Sequence, residues 1–336
     1  RSRIGGQRAH SEEKSLLIPS VVLTDFLSKG PLSCFNSEMP RRVVKNLDFG
    51  QDKLSWNFQR LPPTSRANYW AGVGSRPHGV YNLAAPALDY ARDIFPFVEK
   101  PSRYLGNEVN VIKKDLTRVR NLVALAFPDT YEVGMSHNGI RILYHLLNER
   151  EDIAAERVFV PWMDFEELLK KHGAPLASLE SRKPVREFHI LGISLLYELS
   201  ASNVIHLLDL AGIPRRTENR SRNHPLVVAG GPVVFNVEPV APFFDAVALG
   251  DGEEVFPEIV NLHENWRESG ESREALLERL ERLPGIYIPS RHQVDYEMGG
   301  EIRKVRHVSG GEKVILSRLL EDLNNSPPPT KPVIPY

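Results

Sequence analysis

Residues that could contact a ligand follow the apolar runs of the sequence. They comprise two carboxylates in different loops, two hydroxyl side chains, four glycines and one leucine. The candidate site residues are Asp129, Tyr131, Gly134, Ser194, Leu196, Gly230, Gly231, Gly250 and Glu253. If the apolar runs are parallel strands, their carboxyl ends meet at one edge of a sheet, so the sequence predicts a single binding region there. Glycines without a Cβ atom would let a large flat ligand, or another stretch of backbone, approach closely.

The same residues also have a structural interpretation. Glycines after strands commonly serve tight turns, and Asp129 can accept hydrogen bonds from the amides of its own loop. Glu253 opens a predicted helix, where a carboxylate interacts favourably with the helix dipole. Taken together over three loops, the glycines support a ligand site about as well as they support turns. The sequence leaves both interpretations open.

The loop from Pro128 to Gly134 carries no phosphate-binding motif. It contains neither G-x-G-x-x-G nor a Walker sequence, which disfavours nicotinamide and nucleoside triphosphate enzymes. A phosphate-receiver domain would need an aspartate after the third strand and a lysine after the fifth. The chain has Ser194 and Gly250 at those points. A nucleotide-using enzyme therefore remains only a third alternative.

Composition excludes further classes of protein. The 336 residues carry a formal net charge of -1, and Cys34 is the only cysteine. One cysteine can form neither an internal disulfide nor a cysteine-rich zinc or iron–sulfur site, and we predict no metal site. The charge balance disfavours nucleic acid as a partner, and the arginines between 215 and 222 lack interleaved aromatic residues. No apolar run reaches about 18 residues, so we expect no membrane span and, by default, a cytoplasmic protein.

Alternating strands and helices are expected to position these loops. Continuous apolar runs such as Leu122–Phe127 and Phe188–Ser194 fit strands that are buried on both faces. The helical spacing of apolar residues from Ile140 to Leu147 predicts an amphipathic helix between two strands. Because strand and helix alternate about five times, the sequence predicts an α/β fold with a doubly wound, five-stranded parallel sheet.

The pattern also predicts a division of the chain. Residues 1–87 show no sustained periodicity and are expected to be disordered or weakly ordered. Residues 88–120 would form a connector, and 121–268 the α/β domain. A small α+β appendage of a helix and a hairpin is predicted for 269–325, and a proline-rich linker for 326–336.

Three short motifs resemble those of cobalamin-binding doubly wound domains, which carry D-x-H-x-x-G, S-x-L and G-G after their first, third and fourth strands. The corresponding residues are Asp129 to Gly134, Ser194 to Leu196, and Gly230-Gly231. Longer strings make residues 88–336 similar to the N-terminal half of uncharacterised cobalamin-binding radical S-adenosylmethionine (radical SAM) proteins. These strings are Val98–Tyr104, Phe127–Ser136, Gly230–Pro232, Gly250–Glu254 and Pro332–Tyr336. The resemblance implies a flavodoxin-type strand order and a cobalamin site at the candidate residues.

The chain departs from that family at two points. Tyr131 stands where the histidine-containing domains have their lower cobalt ligand, and neutral tyrosine is a poor metal ligand. We therefore expect cobalamin to bind without a histidine ligand, with His137 belonging to the first helical turn. The chain also lacks the C-x-x-x-C-x-x-C motif of the radical domain. The resemblance then implies that the iron–sulfur cluster and S-adenosylmethionine belong to a C-terminal radical SAM domain beyond Tyr336, which would be this domain's partner.

Two functions from different classes follow from these observations. In the first, the chain is a cobalamin-binding-like N-terminal domain that has no turnover alone and whose substrate is unknown. In the second, the same scaffold holds no cofactor and is an interaction or substrate-presenting module, an alternative that Tyr131 supports. Cobalamin would shift the melting temperature only in the first case, whereas a partner protein or RNA would shift it in the second.

Overall fold

The structure is a computed structural model that describes residues 88–311, 314–322, 324, 326 and 329–334. The region predicted to be disordered, 1–87, and Cys34 within it lie outside the described residues. Residues 88–294 and the described residues from 304 onward belong to one compact unit, and the segment Asp295–Arg303 belongs to another. The elements below belong to the first unit, apart from the end of β7, the start of β8 and the turn between these two strands.

A mixed sheet of six strands forms the centre of the fold. The strands are β1 (Asn121–Phe127), β2 (Ile153–Phe159), β3 (Ile190–Ser194), β4 (Leu226–Gly230), β5 (Ala246–Ala248) and β6 (Ile286–Tyr287). Their order across the sheet is β2-β1-β3-β4-β5-β6. The first five are parallel, and β6 runs antiparallel to β5. The predicted α/β fold with a mostly parallel sheet is confirmed, and the sheet has one strand more than the sequence predicted.

Six α-helices connect and cover the strands in the described residues. They are α1 (Tyr131–Met135), α2 (Asn138–Glu149), α3 (Met163–His172), α4 (Ala201–Ala211), α5 (Gly252–Ser269) and α6 (Arg273–Leu280). Helices α3 and α4 pack on one face of the sheet, and α2, α5 and α6 pack on the other. The helix α6 and strand β6, which we expected in a C-terminal appendage, thus contribute to the same core as the sheet.

The side chains of each strand alternate between the two hydrophobic cores, one on each face of the sheet. In β1, Ala124 and Ala126 join the cluster beneath α3 and α4, whereas Val123 and Leu125 join the cluster beneath α2 and α5. Successive side chains of a strand point to opposite faces, and both faces of this sheet are covered by helices. This burial on both faces is why the strands read as continuous apolar runs rather than as alternating ones.

Helix ends follow the signals in the sequence where those signals are local. Gly173 ends α3 and Gly212 ends α4, each in the left-handed conformation, with φ of 61° and 68°. The end of α2 is instead stabilised by a residue distant in the sequence, Lys114 of the connector. Its Nζ donates to the carbonyl oxygens of Asn148, Arg150 and Ile153, at 2.7, 2.5 and 2.6 Å.

Two further strands, β7 (His292–Tyr296) and β8 (Ile302–His307), form a separate two-stranded sheet. This pairing agrees with the hairpin predicted around Gly299 and Gly300. The first of these glycines has room for a side chain, because a Cβ atom built there meets nothing within 4 Å.

Candidate functional site

The strand order places the switch point of the sheet between β1 and β3. Connections run outward in opposite directions from these two neighbouring strands, so the loops after them separate and leave a crevice at the carboxyl edge. Two hydrogen bonds join the loop after β1 to the segment that follows β3, one from the loop and one from α4. Tyr197 donates its phenolic hydrogen to the Asp129 carboxylate, and Asn203 Nδ2 donates to the Pro128 carbonyl oxygen at 2.9 Å.

The bond between Tyr197 and Asp129 also sets the protonation of the phenol. The hydrogen bond to Asp129, together with partial burial and the negative charge of the carboxylate, raises the pKa of Tyr197 to about 12. The phenol therefore stays a donor at neutral pH. Asp129 was predicted as a site residue, but Tyr197 was not. Its position three residues after Ser194, at the end of the third strand, is the signal that would have identified it.

Ser194, Gly230 and Gly231 come together at the ends of β3 and β4. Ser194 lies directly opposite Gly230 in the pairing of the two strands. A Cβ atom built on Gly230 meets nothing within 4 Å. Gly231 has a φ of 108°, and a Cβ atom there would lie 2.4 Å from the carbonyl oxygen of Leu195. Gly231 is thus required by the backbone, whereas Gly230 borders open space.

Leu196 follows these residues in the loop after β3, and its side chain is 39% exposed. It lies between Leu195, whose amide donates to the Gly230 carbonyl oxygen at 2.7 Å, and Tyr197. The loop after β3 therefore borders both the Asp129 loop and the Gly230 loop. The structure brings five of the predicted residues to these adjacent strand ends: Asp129, Ser194, Leu196, Gly230 and Gly231.

Tyr131 is engaged elsewhere. Its hydroxyl donates to Glu108 Oε1 at 2.9 Å, and its ring packs edge-on against Phe159 with centroids 5.5 Å apart. Burial and the neighbouring Glu108 carboxylate raise the pKa of the phenol. A partly buried phenol that is kept protonated and donates to a carboxylate is poorly suited to be a metal ligand.

Gly134 has a packing role in α1. A Cβ atom on it would lie 2.3 Å from the ring of Phe159, so only glycine allows α1 to lie against the end of β2.

His137 lies between α1 and α2. Its Nδ1 accepts a hydrogen bond from the Ile140 amide, 3.3 Å away. It is the N-cap of α2, in agreement with the expected place in the first helical turn. Burial lowers its pKa.

Gly250 and Glu253 lie at the loop after β5, and that loop is covered by a later part of the chain. Arg318 pairs with the loop like a parallel strand: its amide donates to the Leu249 carbonyl oxygen, and its own carbonyl oxygen accepts from Asp251. Gly250 has a φ of 106°, and a Cβ atom on it would lie 1.9 Å from the Arg318 carbonyl oxygen. This glycine therefore makes room for backbone.

The Arg318 side chain fixes the same arrangement. Its guanidinium contacts Glu254 at 3.0 Å and Glu258 at 2.7 Å, both on α5. Glu253, in the first turn of α5, lies beside these two acidic residues in the sequence. The predicted interaction of Glu253 with the helix dipole is thus compatible with the structure. The loop after β5 is covered by Arg318, whereas the loops after β1, β3 and β4 border the open edge.

A buried network of charges lies beneath the loop after β1. Arg157 of β2 is 1% exposed and binds Glu108 through both terminal nitrogens, each at 2.9 Å, and Glu180 through Nε at 2.6 Å. Its amide also donates to Glu180 at 2.8 Å. Burial alone would lower the pKa of Arg157, but the two carboxylates outweigh it and raise that pKa. Through Glu108 this network holds Tyr131, and no pattern in the sequence indicated it.

Within the described part of the chain, no group of three or more His, Cys, Asp or Glu side chains is arranged to hold a metal ion. No described helix combines the length and the apolar character needed to cross a bilayer.

Comparison with known protein families gives one match. Residues 139–289, from the start of α2 to just beyond β6, match the family model described as radical SAM proteins, N-terminal. This match supports a radical SAM-related protein. No curated protein and no solved structure matches the chain. Asp129, Tyr131 and Gly134 precede the matching region, whereas the other predicted site residues fall inside it.

Proposed function

We propose that this chain is a cobalamin-binding-like N-terminal domain of a radical SAM protein. The observation that carries the proposal is the open edge formed by the ends of β1, β3 and β4, where Gly230 borders empty space beside the Asp129–Tyr197 pair. The family match over residues 139–289 and the strand order support it. Large planar ligands commonly bind at such a switch point.

The residues at this edge fit the cofactor in part. Ser194, Leu196 and Gly230 would form the wall on the side of β3 and β4, and the Asp129–Tyr197 pair would border it on the side of β1. Tyr131 and Gly250 would not contact it, since their surroundings are filled by Glu108 and Arg318. Affinity would come from burial of apolar surface and from hydrogen bonds to this wall, without a histidine ligand.

Cobalamin, when bound, would supply a cobalt centre suited to alkyl transfer or radical chemistry. We further propose that the iron–sulfur cluster and S-adenosylmethionine are held by a separate radical SAM domain, because Cys34 is the only cysteine of this chain. In that arrangement the chain binds and orients the cofactor and its partner domain carries out the reaction on a substrate still to be identified.

A titration with hydroxocobalamin tests the proposal. Purified protein is mixed with hydroxocobalamin, desalted, and examined for the bound chromophore in the visible spectrum. The wild-type protein is expected to retain the cofactor. Gly230→Val is expected to fold normally, because the position is open, and to bind at least about tenfold more weakly, because the valine enters the edge.

Gly299→Val is the matched control. Gly299 also has open space around it and no positive φ, but it lies in the turn between β7 and β8. Its replacement is expected to leave binding unchanged. A wild-type protein that is colourless after desalting, with no affinity below about millimolar, would refute cobalamin binding.

The alternative, a cofactor-free interaction module, is favoured by a different observation. Leu196, Leu199 and Phe235 are 39%, 86% and 58% exposed in the loops after β3 and β4. Exposed apolar side chains that cluster at one edge are typical of protein contacts. If this function is correct, cobalamin leaves the melting temperature unchanged, whereas a purified radical SAM domain raises it, and Leu199→Ser weakens that effect.

A further inference from the structure

A small cavity lies beside the loops after β1 and β2. Its volume is about 30 Å³, close to that of one water molecule. The walls include the rings of Phe159, Trp162 and Phe165, and the polar lining includes Arg103, Tyr104 and Thr130. The cavity is thus lined by aromatic rings together with polar groups.

Arg103 brings an unsatisfied donor to this cavity. Its Nε donates to Glu132 at 2.7 Å, but its Nη1 is buried and has no hydrogen-bond partner among the described residues. The guanidinium lies over the indole of Trp162, 5.1 Å from the ring centre. The side chain is 11% exposed. A buried guanidinium nitrogen without an acceptor costs free energy unless a ligand or water supplies one.

Two hydroxyl groups accompany it. The Tyr104 oxygen accepts a hydrogen bond from the Trp162 amide at 3.2 Å and lies beside the Arg103 guanidinium, so its own hydrogen is available for donation. Thr130 occupies the N-cap position of α1 but makes no side-chain capping bond. The polar side chains around the cavity can therefore offer three donors, one of which carries a positive charge.

We propose that this cavity is a subsite for one oxygen atom of an anionic group, a carboxylate or a phosphate. The buried guanidinium nitrogen without a partner requires an acceptor and favours a charged one, and the two hydroxyls can also donate. The volume admits a single oxygen, so the rest of the ligand lies outside the cavity, where the indole of Trp162 is 41% exposed and offers it an apolar surface. This subsite is independent of the cobalamin proposal, since none of its residues borders Gly230.

Titration of the full 336-residue chain with inorganic phosphate and with acetate tests the subsite. Because Trp162 lies against Arg103, binding is expected to change tryptophan fluorescence in a saturable way, at millimolar or lower concentration, and sodium chloride at equal ionic strength is expected not to. Trp162→Phe should remove the signal. Arg103→Met is expected to weaken binding at least about tenfold, since it removes a charged hydrogen bond.

Arg118→Met is the control, because the Arg118 side chain is 86% exposed and pairs only at the surface with Asp115. It should bind as the wild type does. Thr130→Val, a nearly isosteric change, should also weaken binding and decides the question if Arg103→Met does not fold. No saturable response in the wild type, or equal affinity in wild type and Thr130→Val, would show that the cavity holds only a water molecule and would overturn the proposal.

Discussion

Lowering the pH from 7 to 5 is expected to destabilise the protein through His263, which lies in α5. The side chain is 2% exposed, its Nδ1 has no hydrogen-bond partner among the described residues, and its ring packs 5.2 Å from that of Trp266. Burial, reinforced by the positive charge of Arg267, lowers the pKa of His263 from 6.5 to about 3. His189 lies nearby, and burial lowers its pKa to about 4.

The direction and size of the effect follow from these values. Between pH 6.5 and 3 the unfolded chain binds a proton at His263 and the folded chain does not, so stability is lost as the pH falls below 6.5. At pH 5 the unfolded histidine is about 1.5 pH units below its pKa, and each unit corresponds to about 1.36 kcal/mol. His263 alone is thus expected to remove about 2 kcal/mol of unfolding free energy between pH 7 and pH 5.

Urea denaturation at both pH values, for the wild type and for His263→Phe, measures this contribution. The loss on acidification should be about 2 kcal/mol smaller in the variant, because the other titrating groups act equally in both proteins. His172→Phe is the control, since His172 is exposed at the end of α3, and it should change the comparison much less. Equal losses in wild type and His263→Phe would refute the reasoning.

Three other substitutions should destabilise the protein for separate reasons, each measurable by urea denaturation. Gly250→Ala places a methyl group 1.9 Å from the Arg318 carbonyl oxygen at a φ of 106° and should cost at least about 1–3 kcal/mol, whereas Gly270→Ala, with open space, should cost less. Arg157→Met leaves two buried carboxylates without their cation and should cost about 3–5 kcal/mol. Lys114→Met removes the donor for three carbonyl oxygens between the end of α2 and the start of β2 and should cost about 1–3 kcal/mol, and a stability equal to wild type would contradict this assignment.

The elements of the fold were predictable where the controlling signal is local. The apolar runs gave β1, β3 and β4, and the glycine stops gave the ends of α3 and α4. The first half of β2, up to the charged Glu156, was missed, because the sequence pattern begins this strand only at Arg157. Glu156 and Arg157 are buried because Ser178 and Ser181 donate to Glu156 and because Glu108 binds Arg157. Such partners, more than 20 residues away, cannot be read from a local pattern.

The candidate site shows the same limit. The placement of Asp129 and Gly230 at strand ends followed from the strands themselves. The direction of the Tyr131 hydroxyl did not, since its acceptor Glu108 lies in the connector before β1. The covering of Gly250 depends on Arg318, 68 positions later, which no spacing rule links to it. A glycine after a strand has the same appearance in the sequence whether a ligand or a backbone occupies the space beside it.

The chain's own backbone covers both outer strands of the parallel part of the sheet, β2 and β5. Beyond β5 lies the two-residue β6, and beyond β2 the segment after α3 approaches closely enough for the Leu179 amide to donate to the Arg157 carbonyl oxygen at 2.9 Å. Unpaired edge strands are templates on which further chains add and aggregate, and natural proteins shorten or cover them. In the described residues, the buried Arg157–Glu180 contact therefore also helps to hold this segment on β2, where it blocks the addition of another strand. Loss of the contact should promote self-association as well as unfolding.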